Sequence, residues 1–335
     1  MDLDTNRTLD AGHVEEAVQR LQAARREIGR VVVGQEAVVE QLLLALIAAG
    51  HALIEGAPGL GKTLLAKTMG SVFGLETKRI QFTPDLMPAD ITGTNMLVHD
   101  TAGRVHTRFQ KGPVFTQLLL ADEINRATPK TQSALLEAMQ ERTVTVAGVE
   151  HQLPAPFMVM ATQNPIEMEG TYVLPEAQVD RFLLKILVEF PSEDVLDEVL
   201  NATTGTEVRK VEQQFEASDI LALHELVRAM PVAEDLRRRV SRFVFATHPD
   251  RSAYEEVRRH VRYGVSPRGA QSWLLAAKGH ALVQGRFATD VTDLDATLLP
   301  ALRHRVQLRF DADYEGITVG NVLRDVFGRE VARSR

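Results

Sequence analysis

The sequence contains no cysteine among its 335 residues. Disulfide bonds, thiolate zinc sites and cysteine nucleophiles are therefore excluded. A basic excess is also lacking, because the formal net charge is -7 at pH 7. Proteins that bind nucleic acid over a large surface usually carry positive charge, so the composition argues against such binding.

Long apolar runs are absent from the sequence as well. The longest is LLLALIAA from Leu42, far shorter than the roughly 20 residues that a membrane-spanning helix needs. The opening segment, MDLDTNRTLD, is acidic and polar, unlike a secretory signal. We therefore expect a cytoplasmic protein with no membrane insertion.

Short apolar segments alternate with helical ones in the first half of the chain. The strand-like segments are ALIEG from Ala52, KRIQF from Lys78, FTQLLLADE from Phe115, FMVMATQNP from Phe157 and FLLKILVEF from Phe182. Near-continuous apolar strands that alternate with helices are typical of a parallel sheet covered on both faces. The pattern predicts the α/β class.

The character of the sequence changes after Pro191. The segments that follow are helical in pattern, and most have Ser or Asp near the start as a cap. We expect a domain boundary near residue 190, with an α/β domain over 1–190 and a mostly helical domain over 191–335.

Two segments of the first domain interrupt the alternation of strands and helices. Residues 83–113 suggest a helix interrupted by a small β-hairpin. From Thr143, apolar and polar residues alternate around Ala147 and Gly148, which predicts a second hairpin over about 142–154.

The stretch GAPGLGKT lies between a predicted strand and a predicted helix. Gly56, Gly61, Lys62 and Thr63 satisfy the pattern G-x-x-x-x-G-K-[ST]. Its glycines allow backbone N–H groups to face phosphates, its lysine supplies a charge at the β- and γ-phosphates, and its hydroxyl can ligate Mg²⁺. The helix that follows adds a favourable N-terminus. The residues predicted to bind the phosphates are Gly56, Ala57, Pro58, Gly59, Leu60, Gly61, Lys62, Thr63 and Leu64.

Two acids follow the leucines of the segment LLLADE. Asp122 is placed to hold Mg²⁺ through its water shell, and Glu123 to orient or deprotonate an attacking water. The alternative is a pair of solvated acids at a strand end. A carboxylate at Glu123 favours ATP hydrolysis over phosphorylation of a small molecule. Asn164, at the end of the next strand, could hold the water or the γ-phosphate, or form a simple turn before Pro165.

Six segments, VVVGQE, GAPGLGKT, LLLADEINRA, ATQNP, LPEAQVDRFLL and GVSPRG, follow one another in this order. Together they resemble the MoxR family of AAA+ ATPases, from about residue 15 to 330. The resemblance implies a P-loop αβα ATPase core over the first domain and a smaller, all-helical lid over the second. It also implies that the segments at 83–113 and 142–154 project into a ring pore; surface decoration is the alternative.

The resemblance assigns further residues to the nucleotide site. Val33, Gly34 and Gln35 match the segment that lines the adenine pocket, although an ordinary helix start would need no ligand. Asn164 matches sensor 1. Gln81 is implied to hydrogen-bond Glu123 until a partner arrives, or to be only a strand-end cap.

Two arginines match positions that act on the γ-phosphate. Arg181 matches the arginine finger, which AAA+ proteins supply to the nucleotide of the neighbouring subunit. Arg268, in SPRG, matches sensor 2, with action on its own or on a neighbour's nucleotide left open. The resemblance therefore implies a homo-oligomeric ring, by family a hexamer.

The resemblance implies Mg²⁺-dependent hydrolysis of ATP to ADP and phosphate by a chaperone-like remodeller of client proteins. A partner with a von Willebrand factor A domain often accompanies such proteins. A motor subunit of the magnesium-chelatase type and an ATP-dependent binding switch with little turnover stay open as alternatives. A helicase role is disfavoured because TVTVAGVEHQL lacks the basic residues that tracking a nucleic acid strand needs.

Overall fold

The computed structural model describes residues 11–99, 101, 104–165, 170–205 and 209–333. Positions 100, 102 and 103, at the tip of the first expected hairpin, lie outside the described residues. The described strands are β1 Ala52–Gly56, β2 Thr77–Gln81, β3 Gly93–His99, β4 Val105–Lys111, β5 Leu118–Asp122, β6 Thr143–Val146, β7 Val149–Gln152, β8 Met158–Gln163, β9 Leu184–Val188, β10 Val261–Tyr263 and β11 Gln307–Leu308.

Helices connect these strands and make up most of the chain after β9. They are α1 Ala11–Gly29, α2 Glu36–Ile47, α3 Lys62–Val72, α4 Pro88–Thr92, α5 Pro129–Glu141, α6 Glu176–Val179, α7 Glu193–Thr203, α8 Ala217–Ala229, α9 Glu234–Ala246, α10 Glu255–His260, α11 Pro267–Val283, α12 Val291–Leu302, α13 Phe310–Tyr314 and α14 Val319–Ala332.

Five strands form one parallel sheet in the order β2-β5-β8-β1-β9. The strand that leads into the phosphate loop, β1, lies between β8 and β9, with Ala52 opposite Met160 and Leu184. Since the strands are parallel, their carboxyl ends meet at one edge of the sheet, where ligands bind in open α/β sheets. The predicted α/β class is confirmed.

Alternate residues of the strands pack into two separate apolar clusters. Ile54 and Leu120 point to the face covered by α1, α2 and α3. Leu53 and Leu119 point to the face covered by α5. This period of two places apolar side chains on both faces, which explains why the strands are apolar almost throughout.

The helices after β9 form a layer against the first of these clusters. Trp273 of α11 is fully buried within it and donates its indole N–H to the carbonyl of Leu294 at 2.8 Å. The boundary near residue 190 falls in the link between β9 and α7 and stays a prediction. No helix in the described part of the chain is long and apolar enough to cross a bilayer.

Both interrupting segments contain antiparallel hairpins. The first follows α4 and pairs β3 with β4 from Gly93–Lys111 to His99–Val105. The second pairs β6 with β7, and its two turn residues, Ala147 and Gly148, have φ angles of 50° and 79°. Two consecutive positive φ angles match the right-handed twist of the strands, which explains the tight two-residue turn.

A buried histidine fixes the start of β1. The Val159 N–H donates to Nδ1 of His51 at 3.0 Å, so this nitrogen must be unprotonated. Nε2 then carries the hydrogen and donates to the carbonyl of Met139 at 3.1 Å. Burial, and secondarily the charge of Arg142, lowers the pKa of His51 to about 4.

We expect His51 to make folding stability depend on pH. Above pH 6.5 the stabilisation linked to the lowered pKa of His51 is fully present. As the pH falls towards 4, the histidine of the unfolded chain binds a proton before that of the folded protein, so this stabilisation is lost. Between pH 7 and 5 the loss amounts to about 2 kcal/mol. Urea unfolding at both pH values should show a larger fall for the wild type than for His51→Gln, which does not titrate. Equal falls would contradict the assignment.

Candidate nucleotide site

The predicted phosphate loop connects β1 directly to α3. Gly59 and Gly61 have left-handed backbones, with φ of 84° and 74°, and Gly61 is the residue that caps α3. A Cβ at Gly59 would meet no atom within 4 Å, so the loop borders open space. At Gly56, by contrast, a Cβ would lie 2.8 Å from the carbonyl oxygen of Val188. The glycines therefore serve close packing at one end of the loop and left-handed turns at the other.

Lys62 folds over the loop that precedes it. Its Nζ donates to the carbonyl of Gly56 at 2.7 Å and to that of Ala57 at 3.2 Å. Burial lowers the pKa of Lys62, and the charges of Asp122 and Glu123 partly oppose this. An ammonium group has three hydrogens, so one more acceptor can be bound without breaking either contact.

The predicted adenine-pocket residues lie against the same loop. Gln35 donates from Nε2 to the carbonyl of Leu60 at 2.9 Å, while its buried Oε1 has no partner among the described residues. Gly34 has φ 71° and adjoins α7, since a Cβ there would lie 2.1 Å from Cγ1 of Val195. Val33 is half-buried. A buried acceptor without a partner is costly, and the exocyclic amine of adenine is a donor that would satisfy it.

Asp122 ends β5 with its carboxylate almost fully buried. Oδ1 accepts a hydrogen bond from the hydroxyl of Thr162 on β8 at 2.6 Å. Oδ2 accepts from Arg79 on β2, with Nη2 at 2.7 Å and Nε at 3.2 Å. Each oxygen is thus held by a neighbouring strand, which fixes the carboxylate in one orientation.

Glu123 has an unusual backbone and a restrained side chain. Its φ of 58° lies in the left-handed region, which a non-glycine residue rarely adopts and which is enriched at active sites. Its N–H donates to the Thr162 hydroxyl at 2.8 Å. Its Oε2 accepts from Gln81 at 2.9 Å and pairs with Arg126 at 3.1 Å. The predicted hydrogen bond between Gln81 and Glu123 is confirmed; whether it switches stays a prediction.

Three residues of this network were missed by the sequence analysis: Arg79, Thr162 and Arg126. Arg79 and Gln81 are two apart on β2 and share one face, and Nη2 of Arg79 also donates to Gln81 at 2.7 Å. The alternation was visible in the sequence, but no motif indicates that Arg79 pairs with Asp122. Asn164 follows β8 directly and is buried at the same edge as Asp122.

The two predicted arginines lie at the other edge of the sheet. Arg181 precedes β9, whose first residue, Leu184, is opposite Ala52 at the start of β1. Nη1 of Arg181 donates to the carbonyl of Leu136 at 2.6 Å, and its buried Nε has no partner among the described residues. Arg268 is exposed in the first turn of α11, two residues after Ser266, whose hydroxyl donates to Asp180 next to Arg181 at 3.1 Å. The structure thus groups the loop, Asp122, Glu123 and Asn164 together and places both arginines apart from them.

The residues present fit a nucleotide with Mg²⁺. The phosphate loop offers glycine backbones, a helix N-terminus and Lys62, while Thr63 and Asp122 offer oxygen ligands. No cluster of three or more acidic or histidine side chains that could hold a metal exists among the described residues. Mg²⁺ usually takes one or two ligands from the protein and completes its shell with water and phosphate oxygens, and Thr63 and Asp122 are oxygen ligands of the kind it prefers.

Two family profiles match the chain. The one described as "ATPase family associated with various cellular activities (AAA)" matches residues 51–184, and the one described as "AAA lid domain" matches residues 254–326. The first match contains the phosphate loop, Asp122, Glu123, Asn164 and Arg181. The second contains Arg268. The predicted ATPase core with a helical lid is therefore confirmed.

Relatives of known name align over most of the chain. Chaperone MoxR1 of Mycobacterium tuberculosis is 44% identical over 92% of this chain and 81% of its own length. Protein MoxR of Paracoccus denitrificans is 33% identical over 86% of this chain and 89% of its own. A crystal structure from Cytophaga hutchinsonii, described as that of a candidate ATPase, superposes with a TM-score of 0.84 at 36% identity, covering 94% of this chain and 97% of that one.

We expect Arg79→Ala to destabilise the protein in the absence of nucleotide. Asp122 would keep only Thr162 as a partner for a carboxylate that is 12% exposed. Because Arg79 itself is half-exposed, the expected loss is about 1–2 kcal/mol, less than for a fully buried pair. Arg238→Ala is the matched control, since Arg238 and Glu234 form a largely exposed pair on α9 and its loss should cost at most about 0.5 kcal/mol. Equal losses in urea unfolding would contradict this role of Arg79.

Proposed function

This chain belongs to the MoxR family of AAA+ ATPases, and from that premise we propose that it hydrolyses ATP to ADP and phosphate with Mg²⁺, in a homo-oligomeric ring, to remodel client proteins. The observation that carries the hydrolytic part is the pair Asp122 and Glu123. Both lie at the carboxyl edge of the sheet beside the phosphate loop, and their charges act on Lys62. A carboxylate at Glu123 supplies a base for an attacking water.

Each residue at the carboxyl edge of the sheet has a distinct part in this proposal. Lys62 and the loop backbone bind the phosphates, and Thr63 and Asp122 would hold Mg²⁺, which supplies charge neutralisation at the β- and γ-phosphates. Asn164 orients the water or the γ-phosphate from the other side. Glu123 takes the proton of the water once its contacts with Gln81 and Arg126 open. Val33, Gly34 and Gln35 border the adenine.

The polarity of the sheet supports action of both arginines on a neighbour. From Ala52 to Gly56, β1 covers about 13 Å. Arg181 lies beyond the start of this strand, and Arg268 lies beside it, because the Ser266 hydroxyl at the head of α11 bonds to Asp180. Neither arginine is therefore near the phosphate loop of its own subunit. In a head-to-tail ring the amino edge of one subunit faces the nucleotide of the next.

The side chain of Arg181 is compatible with the same assignment. It is only partly buried, and its one described hydrogen bond, from Nη1 to the carbonyl of Leu136, leaves further guanidinium N–H groups that could donate to a γ-phosphate. We propose that Arg181 is the finger and that Arg268 also acts in trans. The ring is proposed to be a hexamer.

The hairpins supply candidate surfaces for a client. Met96, Leu97 and Val105 on β3 and β4 are 46%, 73% and 56% exposed, and Val149 on β7 is 55% exposed. Exposed apolar side chains at hairpins are suited to contact with unfolded or apolar protein segments. The relative from Mycobacterium tuberculosis is called a chaperone. We propose that the hairpins act on a client and that a protein with a von Willebrand factor A domain assists.

Glu123→Gln tests the hydrolytic assignment. The variant keeps the size of the side chain but removes the base, so kcat for ATP should fall about 100-fold or more while nucleotide affinity is retained. Glu225→Gln, at an exposed position of α8, is the control and should leave kcat unchanged. Unchanged turnover of Glu123→Gln would reject Glu123 as the base and favour a different hydrolytic group.

Glu123→Gln, which should bind ATP without hydrolysing it, also tests the remodelling role. The variant is used as bait in a lysate of the organism that the protein comes from. In the presence of ATP it should retain a client and a protein with a von Willebrand factor A domain, both identified by mass spectrometry. Retention that is equal with Lys62→Ala, which should not bind nucleotide, would contradict an ATP-driven cycle.

Mixed rings test the trans action of Arg181. Arg181→Ala and Glu123→Gln should each be inactive alone, but a site that combines Glu123 of one subunit with Arg181 of the next is complete. With random equimolar mixing about one quarter of the sites are of this kind, so about a quarter of the wild-type ATPase rate should return. If Arg181 served its own subunit, no mixed ring would regain activity.

A further inference from the structure

Asp180 joins the segment that carries Arg181 to the helical domain. Its Oδ1 accepts from Nε of Arg305 at 2.6 Å. The Ser266 hydroxyl lies 3.1 Å from Oδ2 and 3.3 Å from Oδ1. Arg305 follows α12 and Ser266 precedes α11, so one carboxylate holds two separate parts of the helical domain.

Arg305 also holds the backbone on both sides of Arg181. Its side chain is 1% exposed, and its guanidinium donates to the carbonyls of Asp180 at 3.0 Å, Phe182 at 2.6 Å and Leu183 at 3.1 Å. Further hydrogen bonds reach Ser272 on α11 at 3.0 Å and the carbonyl of Ala301 on α12. With Oδ1 of Asp180 included, the guanidinium reaches six acceptors with five N–H groups, so Nη2 shares its two hydrogens among three of them. The ammonium of a lysine has only three hydrogens and could not replace it.

Ser266 links Asp180 to the other arginine. Its hydroxyl accepts the N–H of Gly269 at 3.0 Å and so caps α11, whose second residue is Arg268. A Cβ at Gly269 would lie 2.8 Å from Cδ of Arg305, so a larger residue at this position would clash with the Arg305 side chain. Arg181 directly follows Asp180, and Arg268 lies two residues after Ser266, which bonds to Asp180. Both arginines are therefore close in the chain to a residue of the same contact.

We propose that Asp180, Arg305 and Ser266 form a positioning joint that holds Arg181 and Arg268 in one fixed arrangement for the nucleotide of the neighbouring subunit. The inference rests on the proposed trans action of these arginines. Its consequence is that the joint contributes to catalysis in the next subunit and not in its own. None of the three residues touches the reacting atoms.

A merely structural link between the two domains would act differently. Removing one member of a buried ion pair leaves the other without a partner, so Asp180→Asn is expected to lower stability as well. The test therefore needs measurements that general destabilisation would not give. Ser266→Ala is a milder second variant, and Thr318→Ala, which removes the capping hydroxyl of α14, is its control.

In homogeneous rings, Asp180→Asn should lower kcat for ATP about 10- to 100-fold, as expected when a catalytic group is displaced by about 1 Å. Ser266→Ala should lower kcat about tenfold or less, since it removes one hydrogen bond to a charged group, and Thr318→Ala should leave kcat unchanged. The affinity of each variant for a fluorescent ADP should stay within about twofold of the wild type, because the phosphate loop lies at the opposite edge.

Mixed rings decide between the two interpretations. Asp180→Asn mixed with Glu123→Gln should regain activity, as Arg181→Ala does, because the second subunit supplies a well-placed finger. In a protein that already carries Arg181→Ala and Arg268→Ala, adding Asp180→Asn should change the remaining rate by less than about twofold.

Two different results would contradict the proposed joint, and they can be told apart. If Arg181→Ala is rescued by Glu123→Gln but neither Asp180→Asn nor Ser266→Ala is, the joint does not act through the finger and the inference is wrong while the trans action stands. If Arg181→Ala is not rescued either, the trans action itself fails, and the joint fails with it.

Discussion

The direction of the five parallel strands is the constraint on which the rest of this structure depends. It places the phosphate loop, Asp122, Glu123 and Asn164 at one edge, because each follows the carboxyl end of a strand. It places Arg181 at the other edge, because this residue precedes β9. The phosphate loop and Arg181 therefore lie at opposite edges of one chain, which is the arrangement that the proposed head-to-tail ring requires.

At the carboxyl edge of the sheet, beside the phosphate loop, the two carboxylates both have polar partners. Asp122 is bound by Thr162 and Arg79, and Glu123 by Gln81 and Arg126. These side-chain contacts link the carboxyl ends of three neighbouring strands, β2, β5 and β8, whose backbones are already hydrogen-bonded in the sheet. Arg79 also donates to Gln81, so Asp122, Arg79, Gln81 and Glu123 belong to one network of side chains.

At the opposite edge of the sheet, the segment that carries Arg181 is held by a different kind of contact. The guanidinium of Arg305 is buried among backbone carbonyls and one carboxylate, so its position is set by the fold of both domains. A buried ion pair of this sort seldom adds much stability beyond what apolar packing would give, but it specifies one geometry. Here the geometry it specifies is that of Arg181 and the head of α11.

The sequence by itself determined the parts that depend on local order. The G-x-x-x-x-G-K-T run, the apolar strands, the acids after LLLA and the hairpin turn at Ala147–Gly148 all follow from neighbours in the chain. The contact of Gln81 with Glu123 was predicted because a family resemblance supplied the strand order. Arg79, Thr162 and the joint of Asp180 with Arg305 could not be predicted, since their partners are 40 to 125 residues away. Only the tertiary structure decided these pairs, because strand adjacency and domain docking are set by the packing of the whole core and not by any local pattern.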